Sequence, residues 1–231
     1  MTRSIRIAAH RGPSIRRQAV LEADRLIWFA CSLLATALLG LAAFLPLWHM
    51  TLEAPQYPNG LQMTAFGTRL EGDIQEINSL NHYVGAQAVD PDSIRELDVF
   101  PYALVGLLVV IVAGSILAHR RVYRLMLGLA VWGFAVGFLV DLQWWLYKTG
   151  HNLNEDAPMR IDSFTPKVIG TTEVVNFRSE TMIDVGFMLL LVAATILTAG
   201  PTVVKFVIES WQNTDNRNPA GAERQVSHLG R

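Results

Sequence analysis

The sequence has a single cysteine in 231 residues, Cys31, and it lies inside an apolar run. One thiol excludes an intramolecular disulfide and any Cys-x-x-Cys metal or redox site. Any bound metal must therefore use His, Met, carboxylate or backbone ligands. A basic excess is also missing, since the formal net charge is −1. Phosphate recognition needs a basic face, so nucleic acid is not expected as a partner. Gly-x-Ser-x-Gly, the glycine loops that cradle phosphates and the zinc-protease His-Glu-x-x-His are absent. The apolar runs also lack the paired interior histidines of a multi-haem bundle. The expectation is a protein that is not an enzyme.

What the chain has in abundance is apolar sequence, 51% of residues with a mean hydropathy of +0.29, gathered in blocks. Four blocks, 26–48, 100–118, 125–147 and 182–208, are long enough to cross about 30 Å of hydrocarbon at 1.5 Å per residue. Backbone groups in lipid must be satisfied within the segment, so each block reads as a helix. The fold class expected is an all-α integral membrane protein with four transmembrane helices and two ordered loops, 49–99 and 148–181. Gly200-Pro201 predicts a kink in the fourth helix.

Orientation follows from the basic residues. Arg3, Arg6, Arg11, Arg16, Arg17 and Arg25 precede the first helix, Arg120, Arg121 and Arg124 mark the turn 119–124, and Arg217, Arg224 and Arg231 lie in the tail 209–231. The loop 51–99 has only Arg69 and Arg95 against eight acids. This asymmetry predicts both termini in the cytoplasm and both long loops in the periplasm, in the inner membrane of a bacterium. Trp48, Trp144, Trp145 and Tyr147 read as an interfacial aromatic belt. Gly133-Phe-Ala-Val-Gly137 reads as helix packing within the bundle, with dimerisation as the alternative. The polar tail from Asn213 reads as disordered.

In the first loop, Glu53-Ala-Pro-Gln-Tyr-Pro-Asn-Gly60 imposes turns, and Leu61, Met63 and Ala65 alternate with polar residues as in a short strand. Asp73-Ile-Gln-Glu76 resembles a capping box opening a helix that runs to about Asn81 and stops at Gly85. The second loop reads as ordered, mostly irregular and packed on the first.

His49, Met50, Met63, His82 and His151 all fall in these loops or at their borders. Imidazole with thioether suits copper, especially Cu(I), because soft sulfur selects that ion. No two of the histidines share a metal-binding spacing, so the fold must bring them together. Taken alone, each is an ordinary hydrogen-bonding or packing residue. Tyr83 is possible polar support beside His82. Asp141 and Asp184, near the loop-side ends of the third and fourth helices, are either functional intramembrane carboxylates or surface groups paired with Lys148 or Arg178.

The strings Pro46-Leu-Trp-His-Met-Thr-Leu-Glu-Ala-Pro-Gln-Tyr-Pro58, Glu76-Ile-Asn-Ser-Leu-Asn-His-Tyr-Val-Gly85, Gly150-His-Asn-Leu-Asn154, Phe164-Thr-Pro166 and Val175-Asn-Phe177 resemble a family of small bacterial membrane proteins. That family is met beside copper-chaperone lipoproteins and maturation factors of nitrous-oxide reductase. The resemblance covers most of residues 26–208. It implies a membrane accessory protein that handles copper, or docks a copper chaperone, for a copper-dependent respiratory enzyme. A small structural subunit or assembly factor without metal is the alternative, and either role implies a membrane or periplasmic protein partner besides the bilayer. In the family a Met follows the glycine of the Asn-His-Tyr motif, whereas here that position is Ala86.

The orientation is checked with a reporter active only in the periplasm. Fusions after Gly85 or Thr165 are expected to be active, and fusions after His119 or Arg231 inactive. Activity at Arg231 would overturn the arrangement.

Overall fold

A computed structural model describes residues 13–117 and 121–216, with side-chain surroundings given for 21–116 and 122–211. Arg3, Arg6, Arg11, Arg120 and the three arginines of the tail lie outside the described residues. The chain order is α1 (Pro13–Ala42), β1 (Trp48–Ala54), β2 (Tyr57–Ala65), β3 (Leu70–Gly72), α2 (Ile74–Val84), a 3-10 turn (Pro91–Ser93), α3 (Arg95–Leu117), α4 (Arg121–His151), β4 (Gly170–Val174), β5 (Phe177–Ile183) and α5 (Val185–Asn216). The fold is therefore mixed α/β, and the expected all-α class is overturned by a five-stranded antiparallel sheet of order β3-β2-β1-β5-β4.

Four helices are nonetheless long and apolar enough to cross a membrane: Leu21–Ala42, Arg95–Ile116, Val122–His151 and Val185–Trp211. They are compatible with a multi-pass membrane protein. Their bounds differ from those expected chiefly at the first and last. Pro46 lacks an N–H and biases its predecessor away from helix, so α1 ends at Ala42 and the apolar run continues as strand β1. Hydropathy alone does not distinguish the last turn of a span from the first residues of a buried strand. Likewise Met182 and Ile183 belong to β5, and α5 begins at Val185. At the other end α5 runs to Asn216, so Asn213–Asn216 are helical, and the rest of the tail lies outside the described residues.

The chain separates into two compact units. One, Met1–Cys31 with Ala199–Arg231, includes the first part of α1 and the last part of α5, where Lys205 pairs with Asp24 and the Trp28 ring is buried. The other, Ser32–Thr198, holds the sheet, α2, α3 and α4.

In this second unit the sheet grows directly out of the helices. β1 pairs with β5 from Trp48↔Ile183 to Glu53↔Arg178, and the pairing extends toward the spans as Asp184 N–H donates to Leu47 O at 2.9 Å and Gly186 N–H to Pro46 O at 2.8 Å. A Cβ on Gly186 would lie 2.7 Å from Pro46 O and 2.8 Å from Leu45 O, so glycine is what permits this approach.

Alternation gives the sheet one buried and one open face. Trp48, Met50, Ala54, Leu61, Met63 and Ala65 are buried against Ile77 and Leu80 of α2 and Leu146 of α4. Trp48 is thus a core residue, with Nε1 donating to Val168 O at 2.7 Å, and not part of an interfacial belt. Trp144 and Tyr147 remain exposed at the sheet-side end of α4, as a belt requires. The second loop is less irregular than expected, because β4 and β5 form a hairpin across Val175-Asn176; the remainder packs on the first loop through Asn154 N–H to Gly85 O and Met159 N–H to Tyr83 O.

Helix α2 stops as expected, with Gly85 at φ 77° and Ala86 N–H donating to Asn81 O. Its start differs. The Asp73 carboxylate caps no helical N–H but accepts from Gln62 N–H at 2.8 Å, fastening the helix to β2. Ile77, 2% exposed, is the centre of the packed face. Ile77→Ala is expected to cost about 2–5 kcal/mol, the range for truncating a buried aliphatic side chain. Thermal unfolding in detergent, compared with the exposed control Gln75→Ala, checks this; equal melting would place the core elsewhere.

Candidate functional site

The five residues expected to share a metal are separated by the alternation of β1. Met50 and Met63 face each other across the β1–β2 pair and are both buried in the sheet core. His49, the preceding residue, projects from the opposite, open face beside Thr64 and Met182. His82 and Tyr83 are exposed near the end of α2. His151 is the last residue of α4, stacked on Tyr147 at 3.8 Å between ring centroids, with Nδ1 donating to Tyr147 O at 3.0 Å. Among the described residues no group of three or more His, Cys, Asp or Glu is placed to hold a metal ion.

The structure does assemble a smaller constellation on the open face, where the sheet meets the spans. His49 Nδ1 lies 2.9 Å from Asp184 Oδ2. An ionised carboxylate only accepts, so Nδ1 carries the proton and donates. That assigns the free lone pair to Nε2, which enters no hydrogen bond among the described residues. The other Asp184 oxygen accepts from Val185 N–H at 2.6 Å, and its backbone carbonyl accepts from Met188 N–H, so Asp184 caps α5 while holding the imidazole. Asp184 is therefore a junction residue between β5 and α5, just outside the candidate span Val185–Trp211, and its partner is neither Lys148 nor Arg178. Arg178 pairs with Glu180 at 2.6 Å and Glu173 at 3.9 Å.

Directly opposite His49 in the β1–β5 register is Met182, 58% exposed. Side chains of such a cross-strand pair start from Cβ atoms about 4.5–5.5 Å apart. Imidazole Nε2, thioether sulfur and an orienting carboxylate are thereby gathered on one solvent-reachable surface. Met182 was not among the sequence candidates because it opens an apolar block that reads as a span. Its signal is the alternation of Arg178, Glu180 and Met182, the outward set of β5.

Asp141 lies elsewhere, within α4, and lines a cavity of about 560 Å³ together with Gly133 and Gly137. A Cβ on either glycine would meet nothing within 4 Å, so among the described residues the Gly-x-x-x-Gly step does not pack against another helix. Close helix approach occurs instead at Gly114 against Leu127 and at Gly128 against Thr198.

No protein-family model matches this chain, and no curated protein matches it.

Because Asp184 serves both the helix cap and His49, Asp184→Ala is expected to cost about 1–2 kcal/mol, mostly as a lost cap. Met182→Leu, at an exposed position, should change stability by less than about 0.5 kcal/mol. Denaturation of the two variants side by side checks this; equal losses would deny Asp184 its junction role.

Proposed function

We propose that this chain is a multi-pass membrane accessory protein that handles copper, or receives it from a docked copper-carrying protein, at the open face of its sheet. The observation that carries the reading is the His49–Met182 pair oriented by Asp184. A carboxylate on Nδ1 fixes the tautomer and orients the ring, the usual outer-shell arrangement of a histidine ligand. An imidazole with a thioether favours Cu(I) over hard cations. The site is shallow, with the His49 side chain 38% exposed, which suits transfer to and from a partner better than permanent storage. The resemblance of the loop strings to a family met beside nitrous-oxide reductase maturation factors supports the copper context and the role beside a copper-dependent respiratory enzyme.

The metal-free alternative, a structural subunit or assembly factor, draws on the same surface. The open face carries Thr51, Glu53, Gln62, Thr64, Arg178 and Glu180, and β4 is an edge strand with no second partner among the described residues, flanked by exposed Ile169 and Val175. A partner strand or loop has both a polar face and an edge to meet.

Competition with a chromophoric chelator separates the two. Purified protein in detergent is expected to bind about one Cu(I) per chain. His49→Ala should abolish competition, and Asp184→Asn should weaken binding roughly 10- to 100-fold, as outer-shell changes do. Met182→Leu should weaken it too, whereas Met50→Leu and His82→Ala should bind as wild type. Wild-type protein that shows no competition would leave the docking role alone, and equal losses in Met50→Leu and Met182→Leu would move the site to the buried face.

A further inference from the structure

A second feature of the sheet-bearing unit lies apart from the open face. The 560 Å³ cavity sits between the buried face of the sheet, the segment 87–97, the start of α3 and the sheet-side half of α4. Its volume is in the range of small-molecule sites. Six aromatic rings line it: Trp48, Phe66, Phe100, Phe134, Phe138 and Trp145. Gly133 and Gly137, exposed and one turn apart on α4, lie along it, and Asp141 follows one turn later on the same stripe.

The charged lining is unbalanced. Asp90, Glu96 and Asp141 contribute three carboxylates against the single guanidinium of Arg95. Arg95 and Glu96 are exposed, so they stand at the mouth, whereas Asp141 is half-buried and ten residues before the end of α4, about 15 Å along its axis. Asp141 forms no ion pair among the described residues; Lys148, the nearest cation on the same helix, lies over the Trp145 ring at 4.7 Å from its centroid. A carboxylate within a candidate span is costly unless a positive charge faces it. Aromatic faces attract cations as well, most strongly where water is excluded. Among the described residues nothing lies within 4 Å of a Cβ placed on Gly133 or Gly137, so this stretch of the lining is open.

We propose that this cavity binds a lipophilic organic cation, with its charge beside Asp141 and its apolar body against the ring-lined wall over Gly133 and Gly137. The required ligand chemistry is a positive centre on an apolar frame of a few hundred Å³. Two sources supply it: the ammonium headgroup of a bilayer phospholipid, and a free hydrophobic amine or phosphonium-like cation. A second transmembrane helix seated on the same glycines is a competing occupant that the test distinguishes.

The experiment uses the full chain in nanodiscs of phosphatidylglycerol, with tetraphenylphosphonium as the probe and calorimetry as the readout. Saturable binding with about one site per chain is expected, at least 10-fold tighter than for the uncharged isostere tetraphenylmethane, offered as a competitor. Asp141→Asn, a neutral isostere, should weaken the probe at least 10-fold. Gly137→Leu places a side chain in the space at a position where an added Cβ meets nothing within 4 Å, and it should abolish binding while the protein elutes unchanged in size exclusion. Replacing half the lipid by phosphatidylethanolamine should reduce apparent affinity if the headgroup is the natural occupant, and leave it unaltered if a free cation is. Binding that is equal for charged and neutral probes, or undiminished in both variants, would overturn the proposal. So would a Gly137→Leu variant that converts a dimer to a monomer with wild-type probe binding.

Discussion

Everything on the sheet side of this protein depends on the ladder between β1 and β5. Those strands are separated by more than 120 residues, yet they are the direct continuations of α1 and α5. The hydrogen bonds of Asp184 and Gly186 to Leu47 and Pro46 carry the pairing down to the helix ends. Because side chains alternate along a strand, this register decides which residues meet: Met50 goes to the core, and His49 goes to the surface opposite Met182. A slip of one residue would exchange the two faces. The site is thus a property of the pairing, and no single loop contains it.

Length and periodicity made several elements readable from the chain. The four long apolar helices follow from run length, α2 from the face Ile77 and Leu80 with Gly85 at its end, and part of β2 from the alternation of Leu61, Met63 and Ala65. The central strands were hidden for a physical reason. Trp48–Ala54 adjoins a span without a polar break, and Phe177–Ile183 turns the small polar residues Ser179 and Thr181 inward, so neither shows a clean apolar alternation. Without those strands the partner of His49 was invisible, and proximity in sequence made Met50 appear a better neighbour than Met182. Asp184 was misread for the same reason, because the block that contains it looked like one continuous helix.

Two kinds of unused capacity remain in the sheet-bearing unit. One is polar and outward, the open face with its oriented imidazole. The other is the aromatic-lined space along α4, where the exposed glycines at 133 and 137 leave room that no described side chain fills. Here Phe100 and Phe134, 5.2 Å apart, hold α3 against α4 at one margin of the space without closing it.

The wide sequence separation of β1 from β5 also sets an order of events in biogenesis. β1, β2 and β3 are complete by residue 72, but β5 is made only after α3 and α4. Throughout that interval one side of β1 has no partner, with its backbone donors and acceptors free to recruit any extended segment nearby. Long-range pairing of this kind is slow because the loop must close before the contacts reward it. Pairing of α3 with α4 as a helical hairpin shortens the effective loop by bringing residue 151 back toward the end at which β1 waits, so the two intervening helices act as the tether that returns β5 to its place.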